Sequence, residues 1–121
     1  MLWPQMASLQ PTAKTAAQAN LPGRDFLTEQ ALREVEKNET AYRNSIEELS
    51  RLAQPKLESS GSSPILSSYR EKLQMLDSAI LETQSNVAQN RFNSILQTEL
   101  ADLYREKRQT LQEVLTRGQR N

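Results

Sequence analysis

Apolar residues recur every three or four positions through much of the second half of the chain. Residues 66–87 form one such stripe, which only Thr83 interrupts in polarity, and residues 96–114 form another, which Lys107 and Thr110 interrupt. Steps of three and four residues place side chains on one face of an α-helix, so each stretch predicts an amphipathic helix. The stripe positions are Leu66, Tyr69, Leu73, Leu76, Ile80, Thr83 and Val87, then Leu96, Leu100, Leu103, Lys107, Thr110 and Val114, with Tyr104, Leu111 and Leu115 in a flanking row.

Only a short turn, at residues 90–93, separates these two predicted helices. Asn90 and Asn93 tolerate left-handed backbone conformations and cap helices, and Ser94 with Gln97 fits a capping box. Helices joined by so short a connection pack antiparallel. We therefore predict a helical hairpin, with Phe92 closing this end of it.

A third stripe, earlier in the chain, predicts a helix over residues 27–54. Asp25 or Thr28 is expected to cap its start, and Pro55 is expected to end it, because proline lacks an amide donor and restricts the residue before it. Glu39 interrupts the stripe, and we interpret it as a carboxylate at the solvated edge of a narrow seam rather than as a ligand or functional acid. The stripe positions are Leu32, Val35, Glu39, Tyr42, Ile46, Leu49 and Ala53.

A serine-rich connection, residues 54–63, follows and is predicted to be flexible. Ser63 is expected to cap the next helix, with Pro64 at its first position, where a missing amide donor costs nothing. So loose a connection would permit the first helix to exchange between two chains. A dimer is therefore an open alternative to a bundle closed within one chain.

Together the three stripes predict an all-α protein, an elongated antiparallel three-helix bundle or helical hairpin with coiled-coil-like packing. We expect a bundle over residues 25–117, with helices at about 27–54, 64–90 and 94–117, and a tail at 118–121. Residues 1–24 contain several prolines and no sustained apolar period, so we interpret them as a flexible linker or arm. In this arm Trp3 could dock on a partner or on the bundle.

Composition removes several kinds of chemistry. The chain has no cysteine and no histidine, which excludes disulfides, thiol catalysis, ordinary zinc sites and histidine acid–base catalysis. Its 15 basic residues balance its 15 acidic ones, so no net field favours nucleic acid, an anionic membrane or an acidic substrate. We interpret the cations near the C-terminus as favourable partners of the negative end of the last helix dipole; these are Lys107, Arg108, Arg117 and Arg120.

Acidic and aromatic residues offer the remaining candidates for a site. Asp77 with Glu82, or Glu99 with Asp102, share a helix side and could hold a divalent cation, but solvated helix faces look the same. The glycines lie outside the predicted helices, so there is no phosphate-binding loop. Aromatic and basic neighbours are typical of nucleic-acid binding only in a concentrated patch, and we interpret the tyrosines as core residues with solvated hydroxyls. The neighbours concerned are Tyr69 with Arg70 and Tyr104 with Arg105.

From this we expect no catalytic, cofactor-binding or metal-binding residue, and no enzymatic activity. We also expect no small-molecule substrate and no nucleic acid. The expected partner is a protein, either a second copy of the chain or a regulatory protein, and its contact residues remain open.

Three stretches carry a resemblance to a known family. They run from Ala31 to Tyr42, from Leu76 to Thr83 and from Leu103 to Leu115. Together they resemble, over about residues 28–115, the C-terminal helical region of bacterial zinc-finger anti-sigma factors. Such proteins join a zinc-binding domain, which sequesters a sigma factor in the cytoplasm, to a membrane-spanning helix and a helical region beyond it. This chain has neither the cysteine and histidine of that zinc site nor a run of about 20 apolar residues.

The resemblance implies a sensory or interaction domain, the extracytoplasmic or periplasmic part of a membrane-anchored anti-sigma factor that regulates transcription. Residues 1–24 would then be the linker that follows the membrane. The residues themselves leave a second reading open, a free cytoplasmic helical scaffold or oligomerisation module that binds a partner helix. The start of the chain, residues 1–4, has no basic region followed by an apolar core, so it does not resemble a signal peptide as it stands.

Overall fold

A computed structural model of the chain describes residues 26–59 and 63–120. These residues form three helices, α1 (Glu29–Glu58), α2 (Pro64–Gln89) and α3 (Ser94–Arg120), and among them there is no β-strand. The all-α class and the antiparallel three-helix bundle are confirmed. The predictions about residues 1–24, including Trp3, and about the middle of the serine-rich connection lie outside the described residues.

The third helix, α3, is central to the bundle. It packs along both α1 and α2, whereas α1 and α2 meet each other only sparsely. A helix with two neighbours needs an apolar face wider than one stripe, and α3 has it: Tyr104 and Leu111 of the flanking row are as buried as Leu100 and Val114 of the main stripe. The buried cluster comprises Ile46, Ala53, Leu66, Leu73, Ile80, Leu100, Tyr104, Leu111 and Val114.

The predicted starts of the first two helices are confirmed by their caps. Thr28 Oγ1 accepts a hydrogen bond from the Ala31 amide at 3.0 Å. Ser63 Oγ accepts one from the Leu66 amide at 3.3 Å, and Pro64 occupies the first helical position. Each cap satisfies one of the amide donors that the first turn of a helix leaves without a partner.

Pro55 lies inside α1, so the prediction that it ends the helix is wrong. The helix runs on, and the Ser59 amide closes it by donating to the Pro55 carbonyl at 3.1 Å. Tertiary contacts hold this last turn in place, since Ala53 is fully buried just before it. Arg70 Nη1 also donates to the Leu57 carbonyl at 3.5 Å. Packing therefore outweighs the local cost of the missing amide donor.

The start of α3, after the turn that follows α2, is capped by Asn93 rather than by Ser94. Asn93 Oδ1 accepts a hydrogen bond from the Leu96 amide at 3.0 Å, and α3 begins at Ser94. The predicted capping box is therefore wrong. The side-chain amide of Gln97 donates instead to the Arg91 carbonyl at 2.8 Å, which ties α3 back to the turn.

The residues just before α1 pair with this same turn. The Leu27 amide donates to the Phe92 carbonyl at 2.6 Å, and Phe26 forms a single antiparallel bridge with Asn93. The Phe92 side chain is 38% exposed. The main chain, more than the Phe92 ring, therefore closes this end of the bundle.

Candidate functional site

A groove with a volume of about 490 Å³ runs between α1 and α3, from the turn toward the middle of the bundle. Along α3 it extends from Ser94 to Arg108, which is about 21 Å at the rise of an α-helix. Apolar side chains contribute much of its surface, and it is open on one side. The apolar lining comes from Leu27, Val35, Ala41, Leu100 and Ala101.

Arginines and a tyrosine form the end of the groove that lies toward the middle of the bundle. The guanidinium of Arg108 stacks on Tyr42, with its Cζ atom 4.7 Å from the ring centroid. Hydrogen bonds to the Tyr42 hydroxyl and to Asp102, the latter at 2.8 Å, raise the pKa of Arg105. Arg108 pairs with no carboxylate in the part of the chain that the structure describes. Both arginines stay protonated at physiological pH, but Asp102 pairs with Arg105 and Glu39 also lines the groove, so carboxylates offset part of their charge.

The opposite end of the groove, near the turn, is neutral and contains a buried amide. Gln97 is 4% exposed, and its Nε2 donates to the Arg91 carbonyl. Its Oε1 is buried and accepts no hydrogen bond from any described residue. Leu27, Ser94 and Thr98 complete this end. The unpaired Gln97 oxygen therefore lies beneath the groove surface, out of reach of an occupant.

A polar layer crosses the bundle beside the groove and joins all three helices. Tyr104 on α3 is 3% exposed. Its hydroxyl accepts a hydrogen bond from Gln84 Nε2 on α2 at 2.6 Å and donates to Glu39 Oε2 on α1 at 3.4 Å. Burial raises the pKa of Tyr104; the Glu39 charge adds to this shift and the Gln84 hydrogen bond opposes it.

This layer changes two interpretations made from the sequence. Tyr104 is a core residue as predicted, but its hydroxyl is bonded to protein groups rather than to solvent. Glu39 is half-buried at the edge of the seam, where it contacts the Tyr104 hydroxyl. The layer thus links the three helices through hydrogen bonds between Gln84, Tyr104 and Glu39.

A second groove, between α2 and α3, is acidic and has a volume of about 530 Å³. Its carboxylates are partly neutralised, because Glu106 pairs with Lys72 at 2.9 Å. That hydrogen bond raises the pKa of Lys72. No group of three or more acidic side chains in residues 26–59 and 63–120 is arranged to hold a metal ion. The acidic lining residues are Glu82, Glu99, Asp102 and Glu106.

Two of the cations predicted to lie against the end of the last helix have partners elsewhere. Lys107 Nζ bonds Asp77 Oδ1 on α2 at 2.5 Å, and Arg108 stacks on an aromatic ring of α1. Both residues lie several turns before the end of α3, so the helix-dipole interpretation is wrong for them. Asp77, which was suggested with Glu82 as a cation pair, is thus bonded to a lysine of α3.

The tyrosine near the start of α2 behaves differently from Tyr104. Tyr69 is half-buried, and its hydroxyl accepts a hydrogen bond from Arg117 Nε at 3.1 Å. Its neighbour Arg70 contacts the end of α1. Tyr69 and Arg70 therefore contact different helices, α3 and α1.

Sequence reasoning missed the roles of Tyr42, Gln97 and Arg108. Tyr42 was placed in the apolar stripe of its helix, but it is only half-buried and forms the wall of the groove. The sequence does contain one signal of a groove, in the row of residues beside the core stripe of α3. In this row the small residue Ala101 lies between longer polar side chains. A small residue at such a position leaves room beside the core. The residues of this row are Gln97, Ala101, Arg105 and Arg108.

Comparisons of the chain with family models, with curated proteins and with solved structures found no match. Within the described residues, no helix combines the length and apolar character needed to cross a membrane.

Proposed function

We propose that this protein is a non-enzymatic helical interaction module that binds a helix of a partner protein in the groove between α1 and α3. The observation that carries this proposal is the groove itself, which is open, about 21 Å long and apolar along much of its surface. An amphipathic helix fills such a groove with residues spaced three and four apart. The partner helix would add a further member to the bundle.

The shape of the groove favours a helix over a small molecule. Small-molecule sites enclose about 70–90% of the ligand surface, whereas this groove is open along its side. A helix needs only one apolar face covered, and its polar face remains in water. The groove matches that requirement, with apolar residues such as Val35 and Ala101 in the lining and charged residues at one end.

Photo-crosslinking from matched positions on α3 tests the proposal. A photoreactive amino acid placed at Thr98, which lines the groove, is expected to trap a discrete partner in the source cells. The same substitution at Thr116, an exposed threonine beyond the groove, is expected to trap none. Equal trapping from both positions, or none from Thr98, would contradict the proposal.

Filling the groove provides a second test with a matched control. Ala101→Gln adds a longer side chain at a half-buried groove position, whereas Ala88→Gln makes the same change at an exposed position of α2. We expect Ala101→Gln to abolish crosslinking from Thr98 and Ala88→Gln to leave it unchanged. Both variants keep a good helix-forming residue, so circular dichroism should show an unaltered fold.

The resemblance to zinc-finger anti-sigma factors supports a more specific proposal. The module would be the extracytoplasmic part of a membrane-anchored regulator of transcription, and its partner would be a regulatory protein. Fractionation of the source cells with an antibody against residues 26–117 tests this. A band confined to the membrane fraction, well above the mass of this chain, is expected. A soluble band at 13.8 kDa would instead favour the free cytoplasmic scaffold.

A second copy of the chain is the remaining candidate partner. In the structure α1 packs on α3 of its own chain, and exchange of α1 through the serine-rich connection would reproduce the same contacts between two chains. Light scattering across a wide concentration range measures this directly. A dimer that the Ala101→Gln variant leaves intact would reflect helix exchange rather than occupation of the groove.

A further inference from the structure

The groove between α1 and α3 opens beside the point at which the chain enters the bundle. Leu27 lines the groove and directly follows Phe26, where the described part of the chain begins. We propose that residues 12–21 of the same chain dock in this groove and compete there with the partner helix. The competition rests on the proposed function and deepens it, because it names what regulates access to the groove.

Residues 12–21 have the length and composition to fill most of the groove as a helix. The ten residues read TAKTAAQANL, and four of them are alanine, the residue with the highest helix propensity. A helix of ten residues is about 15 Å long, and the groove extends for about 21 Å along α3. Because so short a helix is marginal alone in water, it gains stability by packing in the groove.

One face of this stretch is small and apolar. Ala13, Ala17 and Leu21 are spaced four residues apart, which places them on the same side of a helix. The lining of the groove also contains small side chains, at Ala41 and Ala101. Since small side chains let two helices approach closely, the stretch buries apolar area there without needing a deep pocket.

The connection between the stretch and the bundle sets its direction in the groove. Pro22 and Gly23 follow the stretch, and this pair favours a turn that reverses the chain. Residues 24–26 then lead directly to Leu27. The last residue of the stretch therefore lies at the end of the groove near the turn between α2 and α3. The docked stretch consequently runs antiparallel to both α1 and α3, which start at that end.

Charge complementarity supports the same placement. Lys14 is the one charged residue in residues 1–23, and in this direction it lies about 10 Å from the turn end of the groove. Glu39 lines the groove about 15 Å from that end and forms no ion pair among the described residues. Helical side chains tilt toward the start of their own helix. In antiparallel helices Lys14 and Glu39 therefore tilt toward each other.

The arginines of the groove do not oppose this placement. Arg105 and Arg108 lie about 17 and 21 Å along α3 from Ser94, beyond the part that a helix of about 15 Å covers. Arg105 is also paired with Asp102. The stretch therefore brings its one cation to the carboxylate of the lining and leaves the basic end of the groove uncovered.

A covalent tether favours the stretch over a free partner. Segments joined by a short linker meet at an effective concentration in the millimolar range, so weak docking is enough to keep the groove occupied. A partner helix binds only the molecules in which the groove is open, and its apparent affinity falls in proportion to that fraction. The chain thereby limits its own binding to the partner.

Photo-crosslinking of the purified full chain tests the docking in the absence of a partner. A photoreactive amino acid at Thr98, in the groove, is expected to link to residues 15–24, which trypsin releases as one peptide. The same amino acid at Ala88, an exposed position near the end of α2, should give about tenfold less of this link. The link should form within one chain and be independent of protein concentration.

Matched substitutions identify the docked face. Ala17→Gln adds a longer side chain to the face that carries Ala13 and Leu21, whereas Ala19→Gln makes the same change on the opposite face. We expect Ala17→Gln to lower the yield of the Thr98 link about tenfold and Ala19→Gln to leave it unchanged. Both substitutions leave every residue of the bundle in place, so they test docking rather than folding.

Charge reversal tests the register. Lys14→Glu should lower the link about fivefold, read on the longer peptide 1–24 that this variant yields. Lys37→Glu makes the same change at an exposed position of α1 outside the groove and should have no effect. Glu39→Lys should lower the link alone and restore it when combined with Lys14→Glu. A purely structural effect of Glu39 on the bundle would not be rescued in this way.

Partner trapping in the source cells tests the competition. With the photoreactive amino acid at Thr98, Ala17→Gln should raise the yield of trapped partner severalfold, and Ala19→Gln should leave it unchanged. This increase, together with a groove-selective link within one chain that Ala17→Gln removes, supports the inference.

The docking and the proposed function fail separately. Equal links from Thr98 and Ala88, or a Thr98 link that is indifferent to Ala17→Gln, overturn the inference, while a partner trapped from Thr98 leaves the proposed function standing. A link that joins two chains and grows with concentration also overturns the inference, because a second copy then fills the groove. Docking within one chain with no partner trapped, even in Ala17→Gln, overturns the proposed function and the competition with it.

Discussion

The side-chain amide of Gln84 donates a hydrogen bond of 2.6 Å to the hydroxyl of Tyr104. The two residues lie on α2 and α3, so the bond links the positions of these helices along their common axis. Glu39 adds α1 to the same layer through a contact of 3.4 Å. Sliding any of the three helices would leave a buried polar group without a partner, which is costly. The layer therefore specifies the register of the bundle.

Removing the Tyr104 hydroxyl should weaken the fold measurably. Tyr104→Phe keeps the buried ring and deletes two hydrogen bonds, so we expect the free energy of unfolding to fall by about 1–2 kcal/mol. Together with Gln84→Leu, the total loss should be about 1 kcal/mol less than the sum of the single losses, because the two changes remove one shared bond. Urea denaturation of the four proteins measures this, and strictly additive losses would contradict the layer.

Tyr69→Phe is the matched control for that experiment. Tyr69 is half-buried, and its hydroxyl accepts a hydrogen bond from exposed Arg117. Water can replace that bond when the hydroxyl is lost. We therefore expect a loss of no more than about 0.5 kcal/mol, smaller than the loss for Tyr104→Phe.

Alkaline titration should detect the raised pKa of Tyr104. The pKa of Tyr104 is raised by burial, whereas a tyrosine in the unfolded chain titrates near 10. At a pH between the tyrosine pKa of the unfolded chain and the raised pKa of Tyr104 in the folded protein, the folded protein retains a proton that the unfolded chain has released. The free energy of unfolding therefore decreases as pH rises through that window, and Tyr104 contributes no pH dependence well below it.

The measurement is the tyrosinate absorbance of the 3 tyrosines. In the wild-type protein the raised pKa of Tyr104 should give a late phase of ionisation, and this phase should vanish in Tyr104→Phe. The variant also isolates the effect of Tyr104 on stability, because Lys72, whose pKa is raised by its bond to Glu106, makes the free energy of unfolding fall with rising pH in the same way. Persistence of the late phase in the variant would show that another residue is responsible.

The cation in the apolar stripe of α3 should be replaceable at little cost. The Lys107 side chain is 20% exposed and bonds Asp77, which is 52% exposed. Pairs with so exposed a partner contribute at most about 1 kcal/mol. Lys107→Met keeps the apolar stem and removes the charge, so its stability should equal or exceed that of the wild type.

Replacing Asp77 tests whether its ion pair with Lys107 contributes to stability. Asp77→Asn should cost up to about 1 kcal/mol in the wild-type background and nothing in the Lys107→Met background. Thermal or urea unfolding of the four proteins gives both differences. An equal loss in both backgrounds would mean that Asp77 stabilises α2 by some other route.

Much of the bundle follows from features that act locally. The caps at Thr28 and Ser63 need only residues within one turn, and the apolar stripes need only the helical period. The extent of α1 beyond Pro55 was not predictable in this way, because contacts from a different helix, such as that of Arg70 with Leu57, hold the last turn. Local rules describe a helix end correctly only where no tertiary contact competes with them.

The groove was harder to foresee for a related reason. Its lining combines residues from two helices that are far apart in sequence, such as Tyr42 and Arg108. One stripe cannot show which flank of a helix a neighbour leaves uncovered. The burial of Gln97 was equally hidden, since a glutamine beside a turn reads as a polar surface residue. Such features depend on how α1 lies across α3 rather than on the pattern of either helix.

Replacing Pro55 should stabilise the protein, although the residue lies near the end of α1. In Pro55→Ala the new amide at position 55 can donate to the Arg51 carbonyl, and the clash of the proline ring with that carbonyl disappears. The greater freedom of the unfolded chain offsets part of this gain. We expect the free energy of unfolding to rise by about 1 kcal/mol, measured by urea denaturation.

Pro64→Ala is the control for that change. Pro64 occupies the first position of α2, where its amide would have no partner in the helix and its fixed backbone angle favours the helical start. In Pro64→Ala only the greater freedom of the unfolded chain remains, so the free energy of unfolding should be unchanged or lower by up to about 1 kcal/mol. Opposite signs for the two substitutions would show that α1 tolerates Pro55 because of its packing. A loss of stability in both would mean that Pro55 instead helps to order the end of α1.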